Sequence, residues 1–283
     1  MTMAFAHNGD VELFYETFGD RGDPALLLVN GLGSQCINYK QEWCEKFAAE
    51  GFLVIRFDNR DVGLSSKFDD AKGDDAAAPY TPSDMAADAV AVLDAVGVDR
   101  AHVLGVSMGG MIVQTMAIEH PDRLLSITSV MSTTGDADVG NPAPEALKLI
   151  LSPPPESRDA YIARHLEAAR TWGSPACYDE PRLTDNAGEA YDRCFCPQGQ
   201  ARQLAAIVAA GSRTVALGDV RVPALVLHGD ADRLVDPSGG RRTAEAIPGA
   251  RFELMEGMGH DYPPEYWDRL VSLVTQHARA ATS

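Results

Sequence analysis

Apolar residues gather along the chain in two kinds of block. Ala25-Leu-Leu-Leu-Val29, Phe52-Leu-Val-Ile55, Ala101-His-Val-Leu104 and Pro223-Ala-Leu-Val-Leu227 are near-continuous apolar runs, as expected of strands buried on both faces of a parallel sheet. Between them the spacing turns helical. Met85, Ala89, Val92, Leu93 and Val96 share one face of a helix that Ser83 is placed to cap. A second helix is predicted from Met108 to His120, stopped by Pro121. Arg251–Met255 reads as a late strand. Strands alternating with helices imply βαβ units and a mostly parallel sheet. The amino terminus differs: Met3–His7 and Val11–Thr17 flank Asn8-Gly9, a tight-turn pair that predicts a hairpin.

The alternation stops between about Gly135 and Val220. That stretch opens with Pro142, Pro144 and Pro153-Pro154-Pro155, continues with helical spacing near Asp159–Thr171 and Gly199–Val208, and holds no clear strand. We read residues 135–220 as a helical cap (lid) insertion over the carboxyl edge of the sheet. Residues 1–134 and 221–283 then form the α/β core. No internal repeat or low-complexity tract interrupts this plan.

Composition narrows the function. The 283 residues, 45% hydrophobic and 23% charged, suffice for one large α/β domain or two small ones with a sizeable core. A formal net charge of −17 argues against nucleic acid, whose binding needs a basic patch. The amino terminus has no cationic region followed by a long apolar one, and no apolar run is long enough to span a membrane. The expectation is a soluble cytoplasmic protein with no membrane partner. The five cysteines are scattered, which fits reduced buried thiols better than a disulfide framework; a Cys177 bridge to Cys194 or Cys196 stays open. No His-x-x-x-His or Cys-x-x-Cys pairing marks a metal site, and no dinucleotide fingerprint follows the first strands. Neither metal nor cofactor is expected.

The chemistry centres on Gly105-Val-Ser107-Met-Gly109, which follows a predicted strand and opens a predicted helix. This Gly-x-Ser-x-Gly pattern in a strand–turn–helix context is a nucleophile elbow. The flanking small residues let strand and helix approach closely, and the helix N-terminus directs amides at developing negative charge. Ser107 is therefore the candidate nucleophile. A serine hydroxyl needs a base to take its proton, and elbow hydrolases carry the acid and then the histidine downstream of the serine. His260 lies in the glycine-flanked loop Gly257-Met-Gly-His260 after the last strand, the place for that base. Asp230 and Asp232 compete as the acid in the loop after Leu225-Val-Leu227. An oxyanion is usually held by two backbone amides, one after the nucleophile and one in the loop after the first parallel strand. Here these are Met108 and Leu32, the latter within Asn30-Gly-Leu-Gly-Ser-Gln35.

Val11-Glu-Leu-Phe-Tyr15, Pro24-Ala-Leu-Leu-Leu-Val29, Val54-Ile-Arg-Phe-Asp-Asn-Arg-Asp61, Asp99-Arg-Ala-His-Val-Leu-Gly-Val-Ser-Met-Gly-Gly110 and Gly257-Met-Gly-His260 resemble the bacterial α/β-hydrolases that include carboxylesterases and the aclacinomycin methylesterase group. The resemblance spans nearly all the core and little of the cap. It implies the α/β-hydrolase fold: a mostly parallel eight-stranded sheet flanked by helices, with a helical cap. It also selects Asp232 as the acid, three residues after Gly229, leaving Asp230 to shape the turn. Two positions depart from many relatives: Asn30-Gly31 stands where they have His-Gly, and Asp61 where they have Gly. The methylesterase group shares the Asp.

The implied enzyme is a carboxylic ester hydrolase, with methylesterase as its narrower form, acting on a small-molecule ester through an acyl group on Ser107, as a monomer or homodimer. The same triad also serves perhydrolases of the cofactor-free haloperoxidase type, carbon–carbon bond hydrolases and enol-lactonases. A non-catalytic ligand-binding protein is the rival from another class; it is disfavoured because no part of the triad is missing. Candidate pocket residues are Asn30, Gly31, Met131 and Met258. The methionines, with Met108 and Met111, make either an adaptable apolar pocket or simply core.

Overall fold

A computed structural model of the chain describes residues 4–69 and 79–282. The Asn8-Gly9 turn joins β1 (Ala4–Asn8) to β2 (Val11–Phe18) as an antiparallel hairpin with Gly9 at φ 59°; Met3, at the predicted start, lies outside the described residues. The apolar runs become β3 (Ala25–Val29), β4 (Leu53–Phe57), β5 (Ala101–Val106) and β7 (Ala224–Gly229), and the late strand is β8 (Arg251–Met255). One strand escapes the apolar pattern. In β6 (Leu124–Val130), Ser126, Thr128 and Ser129 interrupt the run, yet all three are buried. The Ser126 hydroxyl meets His102 Nδ1 at 2.8 Å and Gln114 Nε2 donates to Ser129 Oγ at 3.3 Å, so two of these polar groups are satisfied inside the core.

The eight strands form one sheet in the order β1-β2-β4-β3-β5-β6-β7-β8. The first two pairings are antiparallel and the rest parallel. Because successive strand residues face opposite sides, Leu27 and Val29 enter one core layer while Leu26 and Leu28 enter the other. The first layer packs under α2 (Pro82–Val96) and α3 (Met108–Glu119). The second packs under α1 (Gln41–Ala49), whose Trp43 and Phe47 are fully buried, and α10 (Pro264–Ala281). The cap of α2 corrects the sequence reading: Thr81, not Ser83, is the N-cap, in a reciprocal capping box with Asp84. Ser83 lies inside the helix and donates to Glu119 at 2.7 Å. Pro82 suits the first helical position, which moves the cap back to Thr81.

Between β6 and β7 the described chain is helical: α4 (Pro144–Ile150), α5 (Arg158–Trp172), α6 (Glu180–Arg193), α7 (Pro197–Ala210) and α8 (Thr214–Leu217), followed after β7 by α9 (Ser238–Ala246). The sequence pattern marks α5 and α7 but not α6, whose glutamate-, aspartate- and arginine-rich composition gives a narrow apolar face of Ala187, Gly188 and Ala190. Two buried carboxylates on the β4–α2 connection hold these helices to the sheet. Arg193 of α6 donates to Asp58 at 2.8 Å, and Arg202 of α7 pairs with Asp61 at 2.7 Å. All five cysteines are free thiols, Cys36 and Cys44 buried and the rest half-buried, so Cys177 bridges neither Cys194 nor Cys196. No described helix is long and apolar enough to cross a membrane.

Candidate active site

Ser107 sits where β5 turns into α3, at φ 56° and ψ −116°. A non-glycine residue at positive φ costs on the order of 1–3 kcal/mol and persists only where its surroundings over-determine it. They do so here. The Ser107 amide donates to the Val130 carbonyl at 2.9 Å, and the Ser107 carbonyl accepts from Ser132 Oγ at 2.7 Å. Gly105 and Gly109 are required by close approach: a Cβ on Gly105 would run into the Gly109 carbonyl, and one on Gly109 into the Val29 carbonyl. The strain holds a half-buried Ser107 hydroxyl at the carboxyl edge of the sheet.

The structure separates the two aspartates of the β7–α9 loop. Asp232 is 5% exposed, and its Oδ1 accepts the Leu234 and Val235 amides, both at 2.9 Å. Its Oδ2 accepts from His260 Nδ1 at 2.7 Å. Burial alone would raise its pKa, but the charge interaction with His260 and the hydrogen bonds of His228 and His260 hold it well below the usual carboxylate range. With Nδ1 of His260 donating to Asp232, the ring's Nε2 is left as the basic nitrogen. Asp230 is exposed and accepts the Gly257 amide at 2.7 Å, at the turn leading to His260. No hydrogen bond joins His260 to Ser107 Oγ among the described residues.

The loop after β3 lies against the serine. An added Cβ on Gly31 would stand 3.3 Å from Ser107 Cβ. Gly31 to Ser34 close a turn, the Ser34 amide donating to the Gly31 carbonyl at 3.2 Å, with Gly33 at φ 67°. Among the described residues the Leu32 amide finds no backbone acceptor. The Met108 amide is the first of α3 and has no intrahelical one. Asn30 is 1% exposed and lies under this loop, its Nδ2 donating to the Phe57 carbonyl at 3.4 Å and its carbonyl accepting from Asn59 at 3.1 Å. Met131 and Met258, both fully buried, pack in the core layer beneath α1 and α10. Met131 holds φ 43° while its amide donates to the Leu227 carbonyl at 2.9 Å.

Sequence reasoning missed the supports around these loops. His228, fully buried, places Nε2 2.8 Å from the Val235 carbonyl and 3.3 Å from Asp232 Oδ2, behind the acid. Two acceptors at one ring nitrogen put its proton on Nε2. Trp172, the last residue of α5, and Ser174 just past it brace the histidine loop. The His260 amide donates to the Trp172 carbonyl at 2.6 Å, the Gly259 amide to Ser174 Oγ at 2.9 Å, and Ser174 Oγ to Asp261. Gln203 of α7 accepts the Gly33 amide at 2.8 Å. In sequence His228 merely precedes the loop of Asp230 and Asp232; the others follow no local pattern, because each meets its partner across the fold. Among the described residues no group of three or more His, Cys, Asp or Glu side chains is placed to hold a metal ion.

A half-buried serine at a strained elbow, free amides on two sides, and a carboxylate-bound imidazole on neighbouring loops form a constellation suited to acyl transfer. The family model described as serine aminopeptidase, S33, matches residues 21–265. A rhodomycin D methylesterase of Streptomyces sp. (strain C5) is 33% identical over 96% of this chain and 97% of its own length. 3-Oxoadipate enol-lactonase 2 of Acinetobacter baylyi is 26% identical over 87% of this chain and 86% of its own. Among solved structures, the enol-lactonase from Burkholderia xenovorans LB400 superposes with a TM-score of 0.77 at 25% identity, covering 98% of this chain and 100% of that one.

Proposed function

The chain belongs to the α/β-hydrolase family, and from that premise we propose that it is a serine esterase whose substrate is a carboxylic ester, a methyl ester by preference. Ser107 Oγ attacks the ester carbonyl as His260 Nε2 takes its proton; Asp232 holds the ring and balances the imidazolium charge. The Leu32 and Met108 amides bind the oxyanion. His260 passes the proton to the departing alkoxide, so methanol leaves and the acyl group stays on Ser107. Water, deprotonated by the same nitrogen, then releases the acid and restores the serine. The residue 135–220 helices act as a cap over the acyl pocket, with Gly31 beside the reacting carbon. The observation that carries this reading is the 2.7 Å hydrogen bond from His260 Nδ1 to Asp232, which fixes the imidazole tautomer that base catalysis by Nε2 requires. Ester preference is supported by the kinship with the rhodomycin D methylesterases.

A second reading, hydrolysis of an enol-lactone by the same residues, is supported by likeness to enol-lactonases in sequence and in structure. One assay separates the two. Purified protein and its Ser107→Ala variant are given p-nitrophenyl esters, aryl carboxylate methyl esters and an enol-lactone. The esterase reading expects Ser107-dependent release of nitrophenol and methanol. Turnover of the lactone alone moves the second reading ahead, and activity that survives Ser107→Ala overturns both.

A further inference from the structure

We propose that Gln203, on α7 of the interstrand helices, is a positioning residue for the oxyanion loop, so that the helices covering the sheet also help to assemble the site beneath them. The inference rests on the reading that the Leu32 amide binds the oxyanion. Gln203 is fully buried and uses both ends of its amide across the fold: Oε1 accepts the Gly33 N–H at 2.8 Å, and Nε2 donates to the Arg60 carbonyl at 2.8 Å. Gly33 follows Leu32 directly, in a turn whose two glycines give the backbone little rotational resistance of its own. With Gly33 at φ 67°, the N–H of the peptide between Leu32 and Gly33 finds no backbone acceptor among the described residues, and Gln203 accepts it.

The other end is anchored as firmly. Arg60 is held by two hydrogen bonds to Asp88, at 2.6 and 2.7 Å, and lies over the Phe68 and Tyr80 rings. Gln203 thus ties the Leu32–Gly33 peptide to a rigid part of the core. Its amide reads as oriented by these partners, since only the oxygen can accept from Gly33 and only the nitrogen can donate to Arg60. Alongside it, the Gln200 side chain lies where a Gly33 side chain would go, within 3.0 Å of an added Cβ. Displacement of a catalytic group by about 1 Å can cost a hundredfold in rate, so an unheld Gly33 peptide would be felt at the neighbouring Leu32 amide.

The test compares wild type with Gln203→Met, which keeps length and loses both hydrogen bonds, and Gln203→Glu, which keeps an acceptor for Gly33. The readouts are kcat and KM on a p-nitrophenyl ester, the Kd of an alkylboronic acid, whose tetrahedral serine adduct fills the oxyanion site, and the Kd of the product acid. Gln203→Met is expected to lower kcat about 10- to 100-fold, at or below the loss of a whole oxyanion donor. Boronate binding should weaken in parallel while KM and product binding move less than about threefold. Gln203→Glu should keep boronate affinity within about threefold of wild type. Equal weakening of boronate and product, or unchanged boronate binding in Gln203→Met, overturns the proposal. If Gln203→Met does not fold, loss of boronate affinity in Gln203→Glu overturns it and retention supports it. The boronate arm needs no turnover, so failure of the esterase reading, seen on wild type and Ser107→Ala, is told apart from failure of this one.

Discussion

Arg202 closes a two-pronged ion pair on Asp61, Nε to Oδ2 at 2.9 Å and Nη2 to Oδ1 at 2.7 Å. Asp61 is fully buried at φ 73°, and its remaining capacity goes to the Phe68 amide and the Tyr80 hydroxyl. The left-handed backbone explains why glycine fits this position in many α/β-hydrolases, and the ion pair explains how aspartate is tolerated. α7 lies so close that a Cβ on Gly199 would strike the Asp61 carbonyl. Two substitutions here should differ in a definite order. Arg202→Met strands a buried carboxylate and should cost about 3–5 kcal/mol, because breaking a buried pair leaves an uncompensated charge. Asp61→Gly removes that charge and relaxes the backbone, so it should cost less. Urea unfolding of both variants checks this; an Asp61→Gly loss equal to or above that of Arg202→Met would show that the carboxylate's charge is not what needs the arginine.

The two aspartates of the β7–α9 loop give a second contrast. Asp232→Asn keeps the shape of the side chain but no longer favours the His260 tautomer that leaves Nε2 basic, and the same change in a serine triad lowers kcat by about 10⁴. Asp230→Asn touches an exposed group whose acceptor oxygen can still take the Gly257 amide, so kcat should stay within about threefold of wild type. Steady-state kinetics on one p-nitrophenyl ester decide it. Comparable losses in both variants would mean that the loop tolerates no change and that Asp232 has no distinct role.

The legibility of the chain follows from how local each signal is. The sheet core was readable because a strand buried on both faces must be apolar along its length, as Ala25–Val29 is. The elbow was readable because close packing and positive φ leave few residue choices within five positions, Gly105 to Gly109. β6 was not, because its buried Ser126 and Ser129 are satisfied by His102 and Gln114, partners that no window of sequence contains. The same is true of Gln203 and Ser174, whose partners lie 170 and 87 positions away along the chain. The choice of Asp232 over Asp230 as the proposed acid rests on family resemblance, since two residues of separation carry no information about which carboxylate faces a loop 28 residues on.

His102 supplies a pH-dependent term in stability. It is 3% exposed within β5, its Nδ1 2.8 Å from Ser126 Oγ and its ring edge-on to Phe52. Burial, and secondarily the nearby His277, push its pKa down to about 4. An unfolded histidine titrates near 6.5, so between these values the unfolded chain takes up a proton that the folded one refuses. The contribution is therefore fully present above about pH 6.5 and is lost as pH falls toward 4. Integrated from pH 7 down to pH 5, it amounts to about 2 kcal/mol, at 1.36 kcal/mol per unit over roughly 1.5 units. His277, lowered by its own burial, acts in the same direction. Replacing His102 by Asn removes this titration, so the variant should start less stable at pH 7 and lose about 2 kcal/mol less than wild type on going to pH 5. Unfolding free energies from urea titrations at the two pH values measure both slopes. Parallel slopes would mean that His102 is protonated in the folded protein without penalty, and that acid sensitivity arises elsewhere.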